Sequence, residues 1–178
     1  MTSLLITGAT GFVGGNLLKL LGKSDFKICV LSRQQHPDYE TIVCDLEQKQ
    51  IPLSALASVD TVFHLAGFAH DLRDASKVEK LYHAVNVDAT VQLAELAVQH
   101  GVQQFVFVSS VKAGGTAIAG QCMTEDNQGE PEGIYGRTKR EAELMLLEIG
   151  RQSCMYVSIV RPSLVYGPGV KGTLGIML

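Results

Sequence analysis

The sequence predicts a doubly wound α/β fold, a parallel sheet with helices on both faces. Three observations lead there. Six apolar, β-rich runs recur along the chain, helical patterns separate most of them, and the runs (LLIT, TVFHLA, FVFV, VSIV) are continuously apolar instead of alternating. Strands joined by crossover helices run parallel, and a strand apolar on both sides has to be covered on both sides.

In chain order the strands are expected at 3–7, 26–31, 41–44, 61–65, 105–109 and 156–160. Apolar spacing and breakers place helices at 12–21, ended by Gly22, at about 76–100, ended by Gly101, and at 134–152. Residues 114–133, rich in Gly, Glu, Asp and Gln without periodicity, read as a long loop over the functional site. Repeats and linkers are absent from the pattern, so 178 residues make one domain.

With 46% hydrophobic and 19% charged residues the composition is that of an ordinary globular domain. A net charge of −3 offers no basic footprint to nucleic acid or to an anionic membrane, so any phosphate must be held locally. Cys29, Cys44, Cys122 and Cys154 form no CxxC pair and sit mostly in apolar runs, which suits reduced core thiols. No apolar stretch nears the roughly 20 residues of a membrane helix, and a strand beginning at Ser3 leaves no room for a signal peptide; the expected compartment is the cytoplasm.

The first strand runs into Thr7-Gly8-Ala9-Thr10-Gly11-Phe12-Val13-Gly14, with a helix directly after it. Glycine permits the tight turn and lets backbone N–H groups approach a pyrophosphate, whose charge then sits at the positive end of the helix. The spacing is GxxGxxG, not GxGxxG, and it is the strand and helix on either side that make it a dinucleotide turn built on Gly8, Gly11 and Gly14. The second strand ends in Ser32-Arg33, where an NAD site usually offers a carboxylate to the ribose. Arg33 inclines the choice between NAD and NADP toward NADP, since a guanidinium suits a 2′-phosphate.

Tyr135 and Lys139 open the last helix four residues apart, hence on one face. A phenol is a poor base near neutral pH and needs a positive charge beside it, which Lys139 and an oxidised nicotinamide can supply. Upstream, the fifth strand ends in Ser109-Ser110 at the carboxyl edge, where such sheets bind ligands, and Ser110 can hydrogen-bond a reacting oxygen. His64 and His70 have no partners at metal-ligand spacing, so no metal is assigned; Glu125, Asp126, Glu130 and Glu132 read as a solvated loop face.

Taken in order, TGATGFVG, HLAG, FVFVSS, YGRTK and RPSLVYGPG resemble the extended short-chain dehydrogenase/reductases, the NAD-dependent epimerase/dehydratase family with its Rossmann-type fold, and within it the UDP-sugar 4-epimerases. The resemblance covers essentially the whole chain. It implies Ser110, Tyr135 and Lys139 as catalytic residues, with Thr10, Phe12 and Val13 in the glycine turn, Asp45 and Leu46 near the adenine, and Leu65, Ala66 and Gly67 beside the ribose and pyrophosphate. It further implies contacts from Ser109, from Asn86 of VNVDAT, and from Pro162 and Ser163 after Arg161, with Tyr166 closing the site.

The same resemblance implies a substrate-binding region beyond about residue 168, missing from this chain, a UDP-sugar substrate, and a homodimer through the two long helices. The family's 4,6-dehydratases carry Thr-Asp-Glu where this chain has Ser110-Val111-Lys112. Without those carboxylic acids dehydration is disfavoured. Epimerisation at sugar C4, NADPH-dependent carbonyl or sugar reduction, and cofactor sensing without catalysis remain open at this stage.

Overall fold

The computed structural model describes residues 1–48, 51–69, 75–116, 120, 123–125 and 128–170. Six parallel strands, β1 (Ser3–Thr7), β2 (Lys27–Ser32), β3 (Glu40–Val43), β4 (Thr61–His64), β5 (Gln104–Val108) and β6 (Tyr156–Val160), form one sheet in the order β3-β2-β1-β4-β5-β6. Thr7 pairs with Leu31 on one side and His64 on the other, so the strands end level. The order reverses at β1, and the crevice beyond the carboxyl ends of β1 and β4 is where a sheet of this kind takes a ligand.

Period-two alternation divides the strand residues between two cores. Leu4, Ile6, Ile28 and Val30 pack with Leu18 of α1 (Phe12–Leu21), while Leu5, Leu31, Val62, Phe105 and Phe107 pack with Leu93, Ala94, Ala142 and Leu146. The latter come from α3 (Ala89–Gln99) and α5 (Gly133–Gln152). Both faces are therefore covered, as the unbroken apolar runs predict. On edge strand β6, Tyr156 and Val160 are exposed.

The long helix expected at 76–100 is α2 (Ala75–His83), a π turn (Ala84–Asp88) and α3, one extra residue being accommodated in the middle. Apolar spacing alone cannot register such an insertion, because the face realigns on either side of it. A four-residue helix α4 (Val111–Gly114) and two 3₁₀ turns, Leu46–Gln48 and Leu53–Leu56, are too short to show a period. Cys29 and Cys44 are buried, and burial pushes both thiols up in pKa. Cys154, expected in the core, is exposed because it lies in the connection between α5 and β6. Cys122, His70 and Asp126 lie outside the described residues.

Candidate active site

The glycine turn is built as its sequence requires. Gly8 has φ +70°, and a Cβ there would stand 2.6 Å from Ala66 N, so both its backbone angle and its neighbour demand glycine. Gly11 donates its N–H to the Gly8 carbonyl at 3.0 Å and is the N-cap of α1, without a side chain to cap it and without an acidic residue in the first turn. A Cβ on Gly11 would meet only the Gly8 oxygen, at 3.1 Å. The positive end of α1 is thus open to an anion.

A cleft of about 290 Å³ opens in front of this turn. It gathers the expected Gly8, Thr10, Gly11, Arg33, Asp45, Leu46, Leu65, Ala66 and Gly67, and adds Ser32, Glu47, Phe68 and Val85. Glycine backbone at one end and Arg33, Asp45 and Glu47 at the other fit an elongated dinucleotide. Arg33 therefore shares its end of the cleft with two carboxylates, which come from the segment after β3 and not from the end of β2.

Beneath the cleft, the Thr7 hydroxyl accepts the Ala66 N–H at 3.1 Å and lies 2.7 Å from His64 Nδ1. His64 Nε2 is 2.9 Å from the Thr90 hydroxyl. The ring is fully buried, and burial, followed by the nearby Lys139, lowers its pKa to about 3. His64 is therefore a neutral core histidine tying β1, β4 and α3 together.

The π turn aims Asn86 inward. Its Oδ1 accepts the Phe68 N–H at 2.7 Å, and its Nδ2 donates to Phe68 O at 3.1 Å and to Thr138 Oγ1 at 3.2 Å. Asn86 is wholly buried and outside the cleft lining, so its amide acts on the cleft loop and on α5, one step behind any ligand. Ser109 is buried too, its Oγ without a partner among the described residues. Pro162 accepts the Val111 N–H at 3.2 Å, and Ser163 is exposed beside it. Neither lines the cleft. Tyr166 is 74% exposed and is not among the cleft-lining residues, and a Cβ on nearby Gly167 would stand 3.5 Å from the Phe12 ring of the turn.

The packing of α4 on α5 brings the turn that carries Ser110 to the start of the helix that carries Tyr135 and Lys139. Ser110 caps α4, its Oγ accepting the Lys112 N–H at 3.3 Å. A Cβ on Gly136 would stand 2.5 Å from the Lys112 carbonyl, so glycine beside Tyr135 is what brings the helix start against the Ser110 turn. Lys139 donates to Val108 O at 3.0 Å and sits 4.4 Å from the Phe107 ring centroid and 6.0 Å from that of Tyr135. The same ammonium lies 3.0 Å from where a Gly67 Cβ would be. One lysine therefore stands between a cleft-lining glycine and the tyrosine ring.

Burial lowers Lys139 to about 8, with Glu143 opposing the fall. The Tyr135 phenol moves the other way from the sequence expectation: burial, and then Tyr82 at 6.4 Å between ring centroids, raise its pKa. In the protein alone, then, Tyr135 is held as a neutral acid. The aromatic neighbours Tyr82 and Phe68, 4.9 Å apart, were not legible as site residues, because an aromatic at helical spacing reads first as core. Glu143 was also missed, while Arg161 was placed by the resemblance in the segment with Pro162 and Ser163 but without its carboxylate partner; the available signal was an acid at 143 between the apolar Ala142 and Leu146, one turn after Lys139.

The model of the NAD dependent epimerase/dehydratase family matches residues 4–177. The chain belongs to that family. The UDP-glucose 4-epimerase of Vibrio cholerae is 40% identical over an alignment of 185 positions that covers 99% of this chain and 56% of that protein. The 3-beta-hydroxysteroid dehydrogenase of Mycolicibacterium neoaurum is 32% identical over 93% of this chain and 48% of its own. Among solved structures, MoeE5 in complex with UDP-glucose and NAD superposes with a TM-score of 0.84 at 33% identity, covering 95% of this chain and 56% of that one. This epimerase/dehydratase-family chain thus spans about half the length of the relatives it matches. None of its described helices is long and apolar enough to cross a membrane.

Proposed function

We propose that this chain is the cofactor-binding and catalytic part of an NAD-dependent nucleotide-sugar 4-epimerase. The observation that carries the reading is the Vibrio cholerae likeness along 99% of the chain. The site is consistent with it: the Lys139 ammonium lies beside Gly67 of the cleft lining and over the Tyr135 ring. NAD is favoured over NADP, against the inclination drawn from Arg33, because Asp45 and Glu47 line the same end of the cleft and MoeE5 carries NAD.

When bound, NAD would accept a hydride from sugar C4, return it to the other face, and place a positive charge beside Tyr135. The chain's own groups do the rest. Ser110 Oγ holds the 4-oxygen. Tyr135 takes the hydroxyl proton and gives it back, the Lys139 ammonium beneath its ring favouring the phenolate against the cost of burial. The N-terminus of α1 holds the pyrophosphate, and Gly67 leaves room for Lys139 to reach the ribose. Dehydration gains no support, since Val111 and Lys112 follow Ser110 in place of acids.

The hydroxysteroid dehydrogenase likeness favours a second reading, net oxidation or reduction of an alcohol or carbonyl. Full-length protein incubated with UDP-glucose, UDP-galactose and their N-acetyl forms, followed by NMR, separates the two. Epimers formed with no net change in cofactor support the proposal. Stoichiometric NADH or NADPH consumption without epimers assigns the reductase. The proposal includes a homodimer, supported by Leu144, Met145 and Leu147 standing exposed on α5.

A further inference from the structure

Glu143 follows Lys139 by one turn of α5 and is 1% exposed. Its carboxylate is gripped by Arg161, whose Nε donates to Oε1 at 2.8 Å and whose Nη2 donates to Oε2. Arg161 lies just beyond β6, and its Nη2 also donates to Gln128 Oε1 at 3.1 Å. Gln128 opens a short stretch held against α4 by bonds from Gly129 N to Gly114 O at 2.8 Å and from Glu132 N to Lys112 O at 2.9 Å. The pair therefore ties together the helix that carries Tyr135 and Lys139 and the turn that carries Ser110.

A buried carboxylate is costly, and one cation suffices to pair it. Here the same carboxylate has a second buried cation one turn away, and it opposes the loss of the Lys139 proton. Other groups facing that ammonium offer no negative charge. His64 of β4 is neutral, Tyr135 on α5 and its neighbour Tyr82 on α2 are phenols, and Phe107 and Val108 O of β5 carry no net charge. Among the described residues Glu143 is the one carboxylate that bears on Lys139.

We propose that Glu143 is a positioning residue of this site, a single buried carboxylate shared between Arg161 and Lys139 that supplies the lysine's counter-charge while Arg161 anchors the Ser110 turn. The inference rests on Lys139 being the site's cation. Two substitutions then have opposite signs. Removing Glu143 leaves the buried Lys139 ammonium without its one opposing carboxylate. Removing Arg161 frees the carboxylate for Lys139 alone.

The test is the titration of the Lys139 ammonium in the cofactor-free 178-residue chain, read by NMR with ¹³Cε-labelled lysine and assigned by loss of the signal in Lys139→Arg. In Glu143→Gln the midpoint should fall below about 8, the acid constant changing about tenfold, or about 1.4 kcal/mol. In Arg161→Gln it should rise. A purely structural pair predicts that both variants let water in and both move upward, so a rise or no change in Glu143→Gln overturns the proposal. Should Glu143→Gln fail to fold by circular dichroism, Glu143→Asp replaces it: withdrawing the carboxylate by one methylene should lower the midpoint, and an unchanged or raised value overturns it. The titration needs neither NAD nor sugar, so failure to epimerise would leave it standing, and a wrong sign here would leave the epimerase reading standing.

Discussion

Gly14 lies so close to Gly8 that a Cβ added to it would stand 2.2 Å from the Gly8 carbonyl oxygen. Gly11, midway between them in sequence, has no comparable obstruction. The three glycines of the turn thus have different duties. Gly14 seats α1 on the turn, and Gly11 keeps the space in front of it clear.

Gly14→Val should accordingly cost stability, by several kcal/mol because backbone has to move. Gly11→Val should fold with a melting temperature close to that of the parent and lose NAD affinity at least about tenfold. Thermal melts paired with calorimetry decide this. Unchanged NAD binding in Gly11→Val would make the turn purely structural.

NAD should bind more tightly than NADP by about tenfold or more, about 1.4 kcal/mol. Asp45 and Glu47 line the cleft beside Arg33 and repel a further phosphate. Side-by-side titration checks it, and a preference for NADP would assign Arg33 to the 2′-phosphate instead.

Tyr135→Phe in the full-length protein should abolish turnover, down at least about a hundredfold, and leave NAD affinity within about twofold, since the phenol moves a proton and the glycine turn is untouched. Retained turnover would remove Tyr135 from the chemistry.

Lys139 is destabilising where it stands. A fall from 10.5 to about 8 corresponds to roughly 3 kcal/mol against the charged form at neutral pH. Lys139→Met should raise thermal stability at pH 7 while losing activity. The folded chain binds fewer protons than the unfolded one between pH 8 and 10.5, so across that window the parent gains stability and the gap between the two proteins narrows. Denaturant melts of both at pH 7 and pH 10 measure it. A less stable Lys139→Met at pH 7 would contradict the assignment.

His64 predicts an acid limb. Its folded pKa of about 3 lies below the ordinary 6.5, so its share of stability is complete above pH 6.5 and declines as pH falls toward 3, by about 2 kcal/mol at pH 5. His64→Leu strands the hydroxyls of Thr7 and Thr90, costing about 1–3 kcal/mol at pH 7. It also removes the proton uptake, so the deficit relative to the parent should shrink at pH 5. A deficit that stays constant with pH would mean that His64 does not titrate in this way.

The sequence by itself determined the layers and the parallel run of the strands, and it named the candidate residues at the mouth of the sheet. Continuous apolar runs dictate a doubly covered sheet, TGATGFVG dictates a turn only glycine can make, and Tyr135 and Lys139 four apart on a helix must share a face. These are local constraints, readable from neighbours along the chain. Tertiary structure decided what depends on distant segments. The π turn that points Asn86 at Phe68 and Thr138, the seating of Gly136 on Lys112, the Arg161 grip on Glu143 and the neutrality of His64 all arise between residues far apart in sequence. So does the raised pKa of Tyr135, expected to fall on the strength of Lys139: spacing reports a nearby cation, but burial, the larger effect here, is a property of the packed fold and has no signature along the chain.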